Sequence, residues 1–191
     1  NYFRIFTLQH KKGLETLFDD LYATAGKDNG KKSACGELLY AGDILRGNCT
    51  CYLKSFFNLQ LTAKCKAGSY AYAAKNSAAG IFGTLKTPVD ISSYRNGTVH
   101  IWLYVNDVDY LTADMNFELS SSGRSDQDEY EWVISRKSLK SGWNELWLPI
   151  RKAFVTGTPD LTGINYFRLF TTKPDTKLEF ILDDVYASFK K

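Results

Sequence analysis

The sequence lacks two features that mark common classes of protein. It has no block of lysine and arginine residues, and 24 basic against 21 acidic side chains leave a formal net charge of only +3. This balance argues against a protein that tracks the phosphates of a nucleic acid. No apolar stretch reaches the roughly 20 residues that a membrane-spanning helix needs. We therefore expect neither nucleic-acid binding nor membrane insertion.

Histidine and proline are also scarce, with 2 His and 4 Pro, and the 14 Gly are an ordinary content. His10 and His100 show no Cys-His or Ser-His-Asp spacing of the kind that activates a nucleophile. No glycine-rich loop suited to a phosphate group is present, and the glycine content excludes a collagen-like chain. The familiar motifs of nucleophilic catalysis and nucleotide binding are therefore missing.

What the chain does contain is apolar and aromatic side chains. Of the 191 residues, 44% are hydrophobic and 15% are aromatic, which is enough for a conventional core. Four cysteines, Cys35, Cys49, Cys51 and Cys65, have the symmetrical spacing C-x13-C-x-C-x13-C. One or two disulfides, buried thiols and a four-thiolate metal site all remain open. Disulfides would imply an oxidising compartment.

The strongest internal signal is a repeat. Residues 1–24 align without a gap to residues 165–188, and 12 of the 24 pairs are identical. Each copy has the pattern strand, turn, strand. We interpret residues 1–24 as a hairpin repeated from a preceding copy of a module, and residues 25–191 as the module itself, cut from a tandem array.

Between the two copies, short alternating runs predict β-strands. Residues 99–105 and 115–120 alternate apolar and polar side chains, and further strands are expected at 56–61, 70–74, 131–135 and 145–150. Turn sequences such as Asn96-Gly97 and Ser141-Gly142 separate them. Short strands with such punctuation predict an all-β fold, an antiparallel β-sandwich of the jelly-roll type.

Three motifs in order carry a family resemblance: GWNELWL at 142–148, INYFRLF at 164–170 and FILDDVY at 180–186. Together they resemble the second half of the jelly-roll carbohydrate-binding modules attached to extracellular glycoside hydrolases and lyases. The resemblance covers residues 87–188 and returns in residues 1–24. It implies a noncatalytic module that binds a polysaccharide or glycan.

The resemblance also implies a structural calcium ion. In those modules the first aspartate of the terminal motif helps to bind a calcium buried between the sheets, which makes Asp183 the expected ligand here. Calcium takes further oxygen ligands, and Glu37 and Asp43 are the acidic candidates. An aspartate that is hydrogen-bonded to loop amides is the alternative.

Sugars offer C–H patches to aromatic rings and hydroxyl groups to planar polar side chains. Side chains of both kinds lie opposite the apolar stripes of the predicted strands, and we expect them to form one ligand-binding face. The predicted ligand-binding residues are His100, Trp102, Tyr104, Asn116, Glu118, Tyr166 and Arg168. The alternative is that these aromatic residues form a second layer of core.

One acidic motif raises the possibility of an enzyme. Residues 126–131, DQDEYE, resemble the Glu-x-Asp-x-x-Glu strand of jelly-roll β-glucanases. In those enzymes the first and last carboxylates, roughly 5.5 Å apart, act as nucleophile and acid/base in cleaving the glycan. Asp126 replaces the first glutamate of that motif, and polar residues replace its apolar ones. We therefore predict a module that is not an enzyme.

The overall prediction is a secreted or cell-surface module that targets a larger protein to a glycan, with neighbouring modules of the same polypeptide as partners. Weak sites gain avidity when tandem copies engage one polymer. The alternatives are a structural or adhesive spacer without a sugar site and a glycan-cleaving jelly-roll enzyme.

Overall fold

Alternation of apolar and polar side chains governs the fold, because a strand that covers a core must turn every second side chain inward. The structure is a computed structural model that describes residues 37–40, 49–50, 59–66 and 71–189. Within these ranges all regular structure is β-strand apart from four single-turn 3-10 helices, and no helix is long and apolar enough to cross a bilayer. Every strand pairing is antiparallel.

The first sheet has six strands. Its members are β1 (Glu37–Tyr40), β3 (Leu59–Thr62), β4 (Ala71–Ala74), β6 (Thr98–Val105), β9 (Gly142–Pro149) and β12 (Phe180–Ser188). The order is β3-β4-β12-β6-β9, and β1 also pairs with β12. The strand β12 therefore lies at the centre of this sheet.

The second sheet also has six strands. Its members are β2 (Cys49–Thr50), β5 (Gly80–Val89), β7 (Met115–Ser120), β8 (Glu129–Ile134), β10 (Phe154–Thr156) and β11 (Ile164–Thr171). Their order is β10-β8-β7-β11-β5-β2. The two sheets confirm the predicted antiparallel sandwich of the jelly-roll type.

The core lies between the sheets. From β6 it takes Val99, Ile101, Leu103 and Val105, and from the second sheet it takes Phe117, Phe167 and Leu169, among others. Each of these side chains is at most 1% exposed. In β6, β7 and β11 the apolar stripe faces this core, so the polar and aromatic side chains of these strands face outward on the two outer surfaces of the sandwich.

The repeat at residues 165–188 does form two strands, but these strands do not make a hairpin. The strand β11 pairs with β5 and β7, whereas β12 pairs with β1, β4 and β6. The connection crosses from one sheet to the other, so the predicted hairpin pairing is wrong for this copy. The first copy, residues 1–24, lies outside the described residues, and its domain assignment stays a prediction.

Most of the strands expected from alternation are present. The strands predicted at 99–105 and 115–120 match β6 and β7, while β8 and β9 begin two and three residues before the predicted starts. The sequence analysis missed β1, β2, β5 and β10. The strand β5 contains two glycines and ends with Pro88 and Val89, and β10 has only three residues. Neither of these two strands therefore shows a clear alternation of apolar and polar side chains.

Candidate functional site

The seven predicted ligand-binding residues lie on two outer faces rather than one. His100, Trp102 and Tyr104 project from β6 in the first sheet, whereas the other four belong to β7 and β11 in the second sheet. The prediction of a single continuous face is therefore wrong. Consecutive strands β6 and β7 pair with different neighbours, and alternation along a strand cannot show which sheet that strand will join.

The outer surface of the first sheet is rich in rings. We call it the aromatic face and define it by His100, Trp102, Tyr104, Trp143, Trp147 and Tyr186, which the strand register places on one side. Its rings meet mostly edge to face: Trp102 and Trp143 are inclined at 88°, and Tyr104 and Trp143 at 63°. Such packing is typical of aromatic clusters, and it does not present one flat platform.

Residues 63–66 lie across this aromatic face. The ammonium group of Lys66 is 4.1 Å from the centre of the Trp102 ring, and that of Lys64 is 4.0 Å from the centre of the Tyr104 ring. Cys65 packs against a small cluster of apolar residues beneath. Cation–π contacts hold these lysines in place, so the faces of both rings are already covered, and the rings are only partly exposed.

His100 is 1% exposed and is bound from several directions. Its Nε2 lies 3.1 Å from Glu145 Oε1, its Nδ1 lies 3.4 Å from the Asp184 carbonyl oxygen, and its ring stacks on Tyr186. Burial raises the pKa of the Asp184 carboxyl, and the electrostatic effect of the nearby His100 ring opposes that rise. A buried ring with both nitrogens engaged has nothing to offer a ligand on this face.

Asp183 is 0% exposed and pairs with Trp102 in the register, which places its side chain on the outer side of the first sheet. Its Oδ2 accepts a hydrogen bond from the Lys66 backbone N–H at 2.6 Å, and its Oδ1 accepts one from the Asp184 N–H at 2.9 Å. Both carboxylate oxygens of Asp183 therefore accept a backbone hydrogen bond.

The other predicted calcium ligands add nothing to this geometry. Glu37 opens β1, but the structure describes only its backbone, and Asp43 lies outside the described residues. The calcium site therefore stays a prediction. Cys35 and Cys51 also lie outside the described residues, so the cysteine alternatives stay open.

The outer surface of the second sheet is organised around Arg168. We call it the arginine face and define it by Asn116, Glu118, Glu131, Tyr166, Arg168 and Phe170. Arg168 donates from Nε and Nη2 to the two oxygens of Glu118, both at 2.7 Å, and from Nη2 to Asp126 Oδ1 at 2.9 Å. The guanidinium also lies 4.2 Å from the centre of the Phe170 ring. This bidentate, charge-assisted pairing fixes the arginine side chain.

Burial shifts the ionisation of this cluster. It raises the pKa of Glu118, while the hydrogen bonds and charge of Arg168 act in the opposite direction. Burial also raises the pKa of Glu129, whose Oε2 accepts a hydrogen bond from the Asp126 backbone N–H at 2.8 Å. Burial alone would lower the pKa of Arg168, but the bonds to Glu118 outweigh it and raise that pKa.

Three carboxylates converge near this arginine. Oxygens of Glu118, Asp126 and Glu129 lie within 4.8 Å of one another. Arg168 already supplies the compensating positive charge through its contacts with two of them. We therefore assign no metal to the cluster.

Asn116 and Glu131 differ from this satisfied cluster. Both are partly exposed, and within the described part of the chain the side chain of neither makes a hydrogen bond or an ion pair. The register brings them to the same face as Arg168, because Glu131 pairs with Glu118 and Glu118 pairs with Arg168. The face therefore combines fixed polar groups with polar groups that are available to a ligand.

Aromatic residues on this face went largely unnoticed in the sequence. Phe170 is partly exposed, Phe82 of β5 stacks on the buried Tyr166 at 6.2 Å, and Phe154 of β10 is 66% exposed. Phe170 continues the alternation of Tyr166 and Arg168 and could have been found. Phe82 and Phe154 could not, because their strands lack clear alternation.

The acidic motif at 126–131 does not form the arrangement of a β-glucanase strand. Asp126 precedes β8, which begins at Glu129, and has a left-handed backbone with φ of 60°. Its carboxylate is 75% exposed and is paired with Arg168. Asp126 and Glu131 therefore do not project from one strand as the outer carboxylates of that motif would.

No family model matches this sequence, and no curated protein matches it. The fold, in contrast, is similar to solved structures. One is a family 11 carbohydrate-binding module from Clostridium thermocellum in complex with a β-1,3-1,4-mixed-linked tetrasaccharide, at 15% identity and a TM-score of 0.51, covering 83% of this chain and 100% of that one.

A second is a family 28 carbohydrate-binding module that is specific for non-crystalline cellulose, at 16% identity and a TM-score of 0.50. The match covers 81% of this chain and 96% of that module. Sequence identities this low support a shared fold and nothing more specific. The chain therefore has the jelly-roll β-sandwich fold of carbohydrate-binding modules.

Proposed function

We propose that this chain binds a glycan without cleaving it, through the arginine face of its second sheet. The observation that carries the proposal is the unpaired state of Asn116 and Glu131 beside the fixed Arg168, whose guanidinium already lies over one face of the Phe170 ring. Planar polar side chains next to aromatic rings match the hydroxyl and C–H groups of a sugar. An arginine already held by Glu118 needs little further ordering when a ligand binds.

The aromatic face is the weaker candidate for the same role. Lys64 and Lys66 cover the rings of Tyr104 and Trp102, and His100 is buried beneath the surface. A sugar would have to displace residues 63–66 together with the hydrogen bond from Lys66 to Asp183. We therefore treat Trp102 and Tyr104 as an outer layer of apolar packing.

The fold supports the proposal in general terms. The modules that share it include one solved with a mixed-linked tetrasaccharide and one specific for non-crystalline cellulose, which makes β-glucans the first ligands to test. We further propose that the chain works as a targeting module of a larger secreted or surface protein. The repeat at residues 1–24 is the reason to expect tandem copies and gains in avidity.

The test is binding to a broad panel of plant, fungal and bacterial polysaccharides, measured by affinity gel electrophoresis and then by calorimetry. The variant Asn116→Ala is expected to weaken binding about three- to tenfold, the usual cost of one lost polar contact. Trp102→Ala on the aromatic face is the matched control and should leave affinity unchanged while lowering Tm. Loss of affinity in Trp102→Ala but not in Asn116→Ala would place the site on the aromatic face.

Failure of every polysaccharide in the panel to bind would overturn the proposal and favour the spacer function. Release of reducing sugar from a bound polysaccharide would contradict the noncatalytic part. Asp126→Asn and Glu131→Gln would then show whether the acidic motif is responsible.

A further inference from the structure

Phe154 is the most exposed of the large hydrophobic residues in the described part of the chain, at 66%. It lies on β10, the outermost strand of the second sheet, and pairs directly with Glu131 of β8. Directly opposed residues of an antiparallel pair project to the same side. The Phe154 ring therefore stands on the arginine face, at its edge.

The register aligns five side chains in one row across five strands. In strand order these are Phe154, Glu131, Glu118, Arg168 and Phe82. Neighbouring strands are about 4.8 Å apart, so three steps separate Phe154 from Arg168 by about 14 Å. That distance exceeds the length of a single sugar ring.

The edge of the face has the chemistry of a separate sugar subsite. Val133, 51% exposed, lies on the same side of β8 as Glu131 and beside Asn116 in the register. The Glu131 carboxylate makes no hydrogen bond or ion pair within the described residues, so it can accept hydrogen bonds from hydroxyl groups. An exposed ring next to an available carboxylate can stack on the C–H face of a pyranose and bind its hydroxyls.

From this row we infer that Phe154 and Glu131 form an outer subsite for one further sugar ring of a glycan chain that lies across the strands. The inference rests on the proposed function and extends it. The ligand is a neutral, extended chain long enough to reach from Arg168 to the edge strand. A chain of uronic acids would place its carboxylates against Glu131 and would bind more weakly.

The test compares short and long ligands by calorimetry, using cellobiose and cellohexaose together with the matching mixed-linked β-1,3-1,4-gluco-oligosaccharides. The parent protein is expected to bind the hexasaccharide more tightly than the disaccharide. Phe154→Ala should weaken hexasaccharide binding about three- to tenfold, the effect of one lost stacking contact, and should leave disaccharide binding unchanged. Glu131→Gln is expected to weaken binding of both ligands, because Glu131 also belongs to the arginine face, so the dependence on chain length is read from Phe154→Ala.

Phe189→Ala is the matched control, because Phe189 is 56% exposed and lies beyond the end of β12, away from this row. Equal hexasaccharide affinity in Phe154→Ala, Phe189→Ala and the parent would overturn the subsite. The proposed function would survive that result if Asn116→Ala still weakened binding. Failure of both oligosaccharide series to bind the parent protein would overturn the subsite, whereas the proposed function falls only if every polysaccharide of the panel fails to bind.

The edge could instead contact a second copy of the chain, so sedimentation velocity is measured over a concentration series. A dimer that dissociates in Phe154→Ala, together with unchanged hexasaccharide affinity, would also overturn the subsite.

Discussion

At the scale of single residues, the pair formed by Arg168 and Glu118 dominates the energetics of the arginine face. Only 2% of the Glu118 side chain and 20% of the Arg168 side chain are exposed. Removing one partner of such a pair leaves the other charge buried without compensation. We expect Arg168→Gln to lower the free energy of unfolding at pH 7 by about 3 kcal/mol, measured by urea denaturation.

The pH dependence of this loss follows from Glu118. Burial already raises its pKa above 4.5, and Arg168 opposes the rise, so the variant should raise that pKa further. A carboxyl whose folded pKa is raised contributes full stability below its unfolded pKa and loses it as pH rises through the folded value. The deficit of Arg168→Gln should therefore shrink as the pH falls through the raised pKa of Glu118.

The double variant Arg168→Gln, Glu118→Gln is the control, because it leaves no buried charge without a partner; Asp126, which also loses its contact with Arg168, is 75% exposed. It should recover much of the lost stability at pH 7. A deficit that is equal at pH 7 and at pH 4, or a double variant that is less stable than both single ones, would contradict the account.

At the scale of elements, the centre of the first sheet depends on an irregularity in β12. The register of β12 with β6 shifts between Asp183 and Tyr186, and Asp184 has a left-handed backbone with φ of 48°. The Asp183 carboxylate binds the N–H of Asp184 and of Lys66, and so joins this bulge to residues 63–66. We expect Asp183→Asn to cost about 1–3 kcal/mol, because its amide group cannot accept both bonds equally well.

Hydrogen exchange at the Lys66 amide measures this link directly. Exchange in Asp183→Asn should be faster than in the parent protein, and unchanged protection would contradict the contact. The predicted calcium ion is tested in the same pair of proteins. If calcium binds at Asp183, a chelator lowers Tm of the parent and not of the variant; equal melting curves would leave only the amide-bound carboxylate.

At the scale of the whole molecule, the repeat poses the main structural question. Residues 165–188, the second copy, supply β11 and β12, which lie inside the second and first sheets respectively. A segment with the same pattern exposes its apolar stripe unless it packs against a sandwich, and two strands alone are marginally stable. Deletion of residues 1–24 is therefore expected to lower Tm or to change the oligomeric state.

Differential scanning calorimetry and sedimentation velocity on the shortened chain measure both quantities. An unchanged monomer with an unchanged Tm would mean that residues 1–24 contribute nothing to the folded module. That result would contradict both packing within the chain and strand exchange between molecules.

Alternation along the chain was sufficient to predict the all-β sandwich and which side chains of β6, β7 and β11 face outward. These properties are local, because each strand turns successive side chains to opposite sides whatever its neighbours are. The pairing of strands is not local. Only the tertiary structure decided that β6 and β7 belong to different sheets, and with that the division of the predicted site into two faces.

The same difference between local and long-range information separates the two faces. Trp102 and Arg168 both lie on outward stripes, so the sequence treats them alike. In the folded chain Lys66 lies over the Trp102 ring. Arg168, in contrast, lies on a face where the side chains of Asn116 and Glu131 are available to a ligand. Which segment lies over a face, which strands pair and how exposed a side chain is all depend on residues that are distant in sequence. The row that contains Phe154 could therefore be identified only from the folded structure.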